Sequence, residues 1–350
     1  MTAMAYPDGY EWRADSDMES TSCFIIVFSD GIPVLRIPAG DRYQVPTDPQ
    51  RHRVIGGHLY TDWSDGLVTV IKRDGKEIFR YSGSETIVRM LIHEGRVHTL
   101  STIDGTSGFS YRVDGEAVLQ REDARLFEHL DLCGNKVGFC FSCLVSEASG
   151  RVRRYYSVLD GSVVMVDLEG DVWDMKMYAD GLYVLISDGS SPLPVLMKDG
   201  AVEVPKPFLG TEFRSAEFLD SDVMCVNIRY FAPEDSAPTS LLWFGKGQWR
   251  QFLFEKTAIA IWTDGVKVCM AYNHSDGDSG KIFVDSEMFD MPSGYDVRGL
   301  NPVACGDSGV QIGLTSASGG PPAIWMDGEV REVDINGYIV KASSSDDVSG

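Results

Sequence analysis

The chain has 350 residues, 43% of them hydrophobic, and carries 31 Lys and Arg against 52 Asp and Glu, for a formal net charge of −21. That length allows a large core, either in one all-β ring or in two or three ordinary domains. The acidity counts against a nucleic-acid partner, because a phosphate backbone is bound by a basic face that releases counterions, and no apolar run reaches the roughly 18 residues that a membrane span needs.

The opening MTAMAYPDGYEWRAD lacks a basic start followed by an apolar stretch, so no secretion signal is expected. Cys23, Cys133, Cys140, Cys143, Cys225, Cys269 and Cys305 lie inside strand-like apolar runs. Seven cysteines so placed read as buried free thiols, which favours a cytoplasmic location, with export after signal removal as the alternative.

From Cys23 onward one pattern recurs. Its openings are CFIIVFSDG (23–31), GHLYTDWSDG (57–66), GRVHTLSTIDG (95–105), NKVGFCFSCLVSE (135–147), GLYVLISDG (181–189), SDVMCVNIRYF (221–231), GVKVCMAYNHSDG (265–277) and GVQIGLTSASGG (309–320). Repeats thus start near 22, 57, 95, 135, 181, 222, 265 and 309, a period of about 40 residues that suits four short strands and their turns in one propeller blade. A second run follows each opening and often ends in Asp-Gly, as in VTVIKRDG, GFSYRVDG, RRYYSVLDG, LPVLMKDG and PPAIWMDG, after which another strand begins. Asp-Gly between two strand-like runs predicts a two-residue hairpin whose central residues both take positive φ.

The prediction is therefore an all-β chain forming a single β-propeller of four-stranded antiparallel blades over residues 1–342, eight blades first and seven as the alternative, with a disordered tail at 343–350. The innermost strand of the first unit is expected from 9–15 or from 335–342 returning to close the ring. The segments AIWMDGEV, LPVLMKDGAV and VTVIKRDGKE resemble repeats of poorly characterised bacterial propeller proteins of the Bacteroidales type. This resemblance covers most of the chain and implies a propeller fold with no assigned activity. Single matches to a kelch-like motif, VIGGHLYTDW (54–63), and to an Asp-box, DGDSGKIF (276–283) with Asp276 in place of Ser, do not repeat.

The connections between second and third strands vary: SDG (29–31 and 64–66), TIDGTSG (102–108), SEASGRV (146–152), SDGSSP (187–192), FAPEDSAPT (231–239), NHSDGDSG (273–280) and SASGGPP (316–322). Variable loops on a constant scaffold are where specificity resides. Asp65, Asp104, Asp188, Asp235, His274 and Asp276 are the expected binding residues. Asp276 and Asp278, alternating around Gly277, form a candidate Ca²⁺ loop. Cys140 and Cys143 have C-x-x-C spacing but on a strand point to opposite faces. RVRRYY (151–156) is the one basic cluster and a charged edge for a partner. The expected function is a non-catalytic, monomeric platform for a protein or glycan, with no catalytic residue assigned. The alternative is a carbohydrate-active hydrolase or lyase with an acidic central pocket.

Overall fold

The computed structural model describes residues 67–148, 150–187, 195–203 and 212–219 and, outside these, the strands of the sheets given below and short stretches beside some of them. Among the described residues the chain is all β, with eight antiparallel sheets and no helix. It forms two compact units, Gly83–Thr257 and the combination of Met1–Ser82 with Ala258–Gly350.

Gly83–Thr257 holds four meanders in which each strand pairs with the next. The 85–121 sheet comprises Glu85–His93, Arg96–Ile103, Phe109–Val113 and Glu116–Arg121. The 124–166 sheet comprises Ala124–Cys133, Lys136–Glu147, Gly150–Leu159 and Ser162–Val166. The 171–203 sheet comprises Asp171–Tyr178, Gly181–Ser187, Val195–Lys198 and Ala201–Glu203, and the 212–253 sheet opens with Glu212–Phe218 and Cys225–Phe231.

The first strands of these four sheets lie side by side in chain order, and apolar layers fill the three spaces between successive sheets. Alternation along Lys136–Glu147 sends Phe139 and Phe141 into one apolar layer with Leu100, Phe109 and Tyr111. It sends Cys140 into the opposite layer with Phe127, Tyr155, Val172, Met175 and Ile186. A third layer joins Tyr178, Tyr183 and Leu185 to Phe218, Val226 and Ile228. Phe109 and Phe139 meet edge to face at 5.6 Å and 80°, and Phe141 stacks on Tyr156 at 4.9 Å and 13°. Four-stranded meanders stacked in this way are propeller blades.

The other unit is built alike. Its 52–82 and 260–290 sheets are meanders, its 295–332 sheet has both Tyr295–Asp296 and Val303–Gly306 paired with Gly309–Ser316, and Cys269, Ala271 and Ile282 pack against Ile312, Leu314 and Trp325 between the last two. In its remaining sheet the order is Ile32–Asp41, Ser22–Ser29, Thr2–Ala5 and Gly337–Lys341. Gly337–Lys341 thus returns to the first sheet, but Thr2–Ala5 is interposed, so Ser22–Ser29 is separated from the returning strand by one strand. Residues 9–15 and 343–350 lie outside the described residues.

The hairpins between third and fourth strands share one device. Asp74, Asp114, Asp160, Asp199 and Asp327 hold φ between 45° and 52°, each followed by a glycine that also has positive φ, the pair of left-handed residues that a two-residue hairpin requires. Each of these carboxylates also accepts a backbone N–H at the start of the second strand: Leu59 at 3.0 Å, Val97, Val137 and Leu182 at 2.9 Å, and Val310 at 3.2 Å. Asp285 does the same to Val268 at 3.0 Å. The Asp therefore shapes its own turn and clasps the neighbouring one, which neither Gly nor Ala in its place could do.

Candidate functional site

The end of each sheet opposite the Asp clasps carries the connection between second and third strands. In the 85–121 sheet this is a closed loop. Ile103 N donates to Gly108 O at 3.0 Å, Thr106 Oγ1 to Ile103 O at 3.1 Å, and Gly108 N to Thr106 Oγ1 at 2.9 Å. Gly108 is required by close approach, because a Cβ there would stand 2.2 Å from the Arg121 carbonyl oxygen. Asp104 belongs to the same closure: Thr86 Oγ1 donates to its Oδ1 at 3.2 Å, Ser84 Oγ to its Oδ2, and its own N–H donates to Ser84 O at 3.1 Å. Its carboxylate anchors the loop to the first strand.

The 124–166 sheet differs. Ala124 pairs with Cys143 at the start of the first strand, and Val166 pairs with Tyr155 at the end of the last. Beyond those limits four further pairs continue between the second and third strands alone: Leu144 with Arg153, Val145 with Val152, Ser146 with Arg151, and Glu147 with Gly150. The stretch 146–152, expected as a loop, is largely strand, and the sheet projects a two-stranded arm about 13 Å long. Arg154 and Glu147 pair across one face of the arm at 2.5 Å, and this contact raises the guanidinium pKa further.

A second polar cluster lies on the first strands. Register shifts between Phe127 and Asp131 and between Val172 and Asp174 bulge two successive first strands, and such bulges re-aim side chains. His129 Nε2 donates to Asp174 at 3.0 Å, and Asp174 also accepts Met175 N at 2.8 Å and Phe218 N at 2.9 Å. Lys176, fully buried, donates to Leu219 O at 3.0 Å, stands 3.6 Å from Asp131 and lies 4.8 Å over the Tyr178 ring. Three consecutive sheets are thereby tied together. Both carboxylate oxygens of Asp174 are occupied, so the cluster acts as a tether. His129, Asp174 and Lys176 were not singled out in the sequence; the available signal was a charged residue inside an otherwise apolar first strand.

The cysteine pair divides as expected. Cys140 is buried among Phe127 and Met175, while Cys143 packs against the opposite layer. Burial pushes the Cys140 thiol far above its ordinary value and the Cys225 thiol up to about 12, so neither is a ready thiolate. Asp65, Asp188, Asp235, His274, Asp276 and Asp278 lie outside the described residues. Of the expected binding residues, Asp104 alone is described.

No family model and no curated protein sequence matches the chain. Among solved structures it is similar to the dihydro-heme d1 dehydrogenase NirN in complex with DHE, at 9% identity and a TM-score of 0.53 over 98% of this chain and 74% of that one. It is similar at 12% identity and a TM-score of 0.45 to the β-propeller domain of the trilobed protease from Pyrococcus furiosus, over 80% of this chain and 94% of that one. BBS1N in complex with ARL6DN follows at 8% identity and a TM-score of 0.43, over 78% and 88%. At such identities the likeness bears on the fold alone.

Proposed function

We propose that the chain closes into an eight-bladed propeller and works as a non-catalytic platform, binding a protein or glycan on the end where second and third strands are joined. Closure is supported by the sheet in which Thr2–Ala5 pairs with Gly337–Lys341. The observation that carries the binding role is the contrast between the two ends of the sheets. One end repeats the same Asp clasp in six sheets, whereas the other presents a closed loop at 103–108 and a projecting arm at 144–153. Constancy at one end serves the scaffold, and variation at the other is where a ligand is read. Ca²⁺ at Asp276 and Asp278 belongs to the same reading.

The test is retention on glycan and peptide arrays, with Ca²⁺ and with chelator, of the wild type and two surface-blocking variants. Thr106→Trp blocks the loop end and Lys136→Trp the turn end. Ligands lost with Thr106→Trp and kept with Lys136→Trp are expected. Loss with Lys136→Trp alone places binding at the wrong end, and release of products from retained glycans overturns the non-catalytic reading.

A further inference from the structure

We infer that the arm at 144–153 is a docking surface for a short acidic segment of a partner protein, an inference that rests on the platform reading and assigns part of its ligand. Strand alternation gives the arm two chemically distinct faces. Val145 and Val152 pair on one, where Glu147 neutralises Arg154. The other carries Leu144 opposite Arg153 and Ser146 opposite Arg151. Arg125 extends the same face, because it pairs with Ser142, which lies two residues before Leu144.

Arg125, Arg151 and Arg153 are all exposed, and among the described residues none of the three has a carboxylate within ion-pair distance. Arg153 is oriented by its Nη1, which donates to Ser142 Oγ at 3.2 Å. Leu144, 48% exposed, lies directly across from Arg153, and the Arg125 guanidinium lies 5.4 Å over the Phe127 ring. Three arginines without a carboxylate partner among the described residues, on the face that carries one exposed leucine in a chain of net charge −21, form a local exception to the field of the molecule. Guanidinium groups bind carboxylates in a forked, bidentate geometry. The surrounding negative charge repels a long polyanion, so the fitting ligand is short. Among the described residues neither edge of the arm has a flanking strand, so an extended segment can also pair along its backbone. The occupant is thus a stretch of Asp and Glu flanking an apolar side chain that covers Leu144.

The experiment is fluorescence anisotropy of the intact protein with a labelled peptide of Asp and Glu around one central Leu. Its Lys counterpart and a labelled oligothymidylate are the comparison probes. The double variant Arg151→Glu with Arg153→Glu is expected to weaken acidic-peptide binding by about tenfold or more, and Leu144→Ser by less. Lys136→Ala, at the turn end of the same sheet, is expected to leave binding unchanged. Melting curves matching the wild type show that the variants fold. Equal peptide binding by wild type and double variant overturns the arm assignment. The platform reading is scored separately, because both proteins are also applied to the arrays. Oligothymidylate bound as tightly as the peptide overturns the choice of an acidic polypeptide.

Discussion

The two ends of the sheets solve different problems with the same residue type. At the turn end an Asp holds positive φ and accepts the N–H of a neighbouring turn, and six sheets repeat this with nearly constant geometry. At the loop end Asp104 is held by Ser84 and Thr86 of its own sheet, and Glu147 pairs with Arg154 within the arm. An acidic residue in this chain is therefore first an acceptor that completes the backbone or an ion pair. Acidity alone does not mark a site; the uncompensated arginines do.

The comparison predicts that damage to acceptors is graded by burial. Asp174, accepting N–H groups in the interior, sets the upper limit. Asp174→Ala leaves the Phe218 N–H and His129 without their buried acceptor, and such losses cost about 3–5 kcal/mol. Chemical denaturation should show this as a lower midpoint with unchanged slope. A loss under about 1 kcal/mol would mean that water replaces the carboxylate, and the tether would carry little weight.

Gly161 comes next. It holds φ of 80°, and a Cβ there would stand 2.8 Å from Val118 Cγ1. Gly161→Ala therefore combines backbone strain with a clash and should cost about 1–2 kcal/mol. Gly200→Ala, at the corresponding turn of the following sheet with φ of 83° and no atom within 4 Å of the added Cβ, separates the two contributions: an equal loss there would assign the effect to strain alone.

How much of this was legible follows from the physics of each feature. Asp-Gly is a local signal, so the positive-φ turns at 74, 114, 160, 199 and 327 could be read directly. Asp285 performs the same clasp with Ser286 after it, so a pattern requiring Gly passes it by. The interposed strand Thr2–Ala5 pairs with a segment more than 300 residues away, and nothing in four residues announces such a partner. His129 and Asp174 are aimed by bulges, which break the two-residue period on which face assignments depend. The arm was hidden because Ser, Glu, Ala and Gly at 146–150 have the composition of a loop, and its pairing is decided by register with Leu144 and Arg153.

A more exposed clasp tests the turn end directly. Burial alone would raise the Asp114 carboxyl, but the Val97 N–H and the Arg96 guanidinium outweigh it and hold it below the ordinary Asp value. Its stabilising contribution is complete above the ordinary value, 3.8, and is lost as pH falls through the lower folded value. Asp114→Ala should cost about 1 kcal/mol at neutral pH after allowing for solvent screening. That difference should shrink in acid, whereas Asp114→Asn, which keeps an acceptor oxygen and tolerates positive φ, should lose less. A constant gap between wild type and Asp114→Ala from neutral pH into acid would show that φ, not the charged acceptor, governs the turn.

The smallest effect belongs to the loop end. Glu147 and Arg154 are each about one-third exposed, at 34% and 31%, and solvent and side-chain entropy offset most of such a pair's attraction. Glu147→Gln should leave the melting midpoint within error of the wild type, even at low ionic strength where surface charges are felt most. The informative readout is the charge of the arm. Freed from Glu147, Arg154 is left without its carboxylate partner, and the variant, one unit less negative in a chain of net charge −21, should elute earlier from an anion exchanger. If Glu147→Gln instead melts early, the arm is held by its ion pair rather than by backbone pairing. The loop end would then be built as the turn end is, from carboxylates that stabilise the fold.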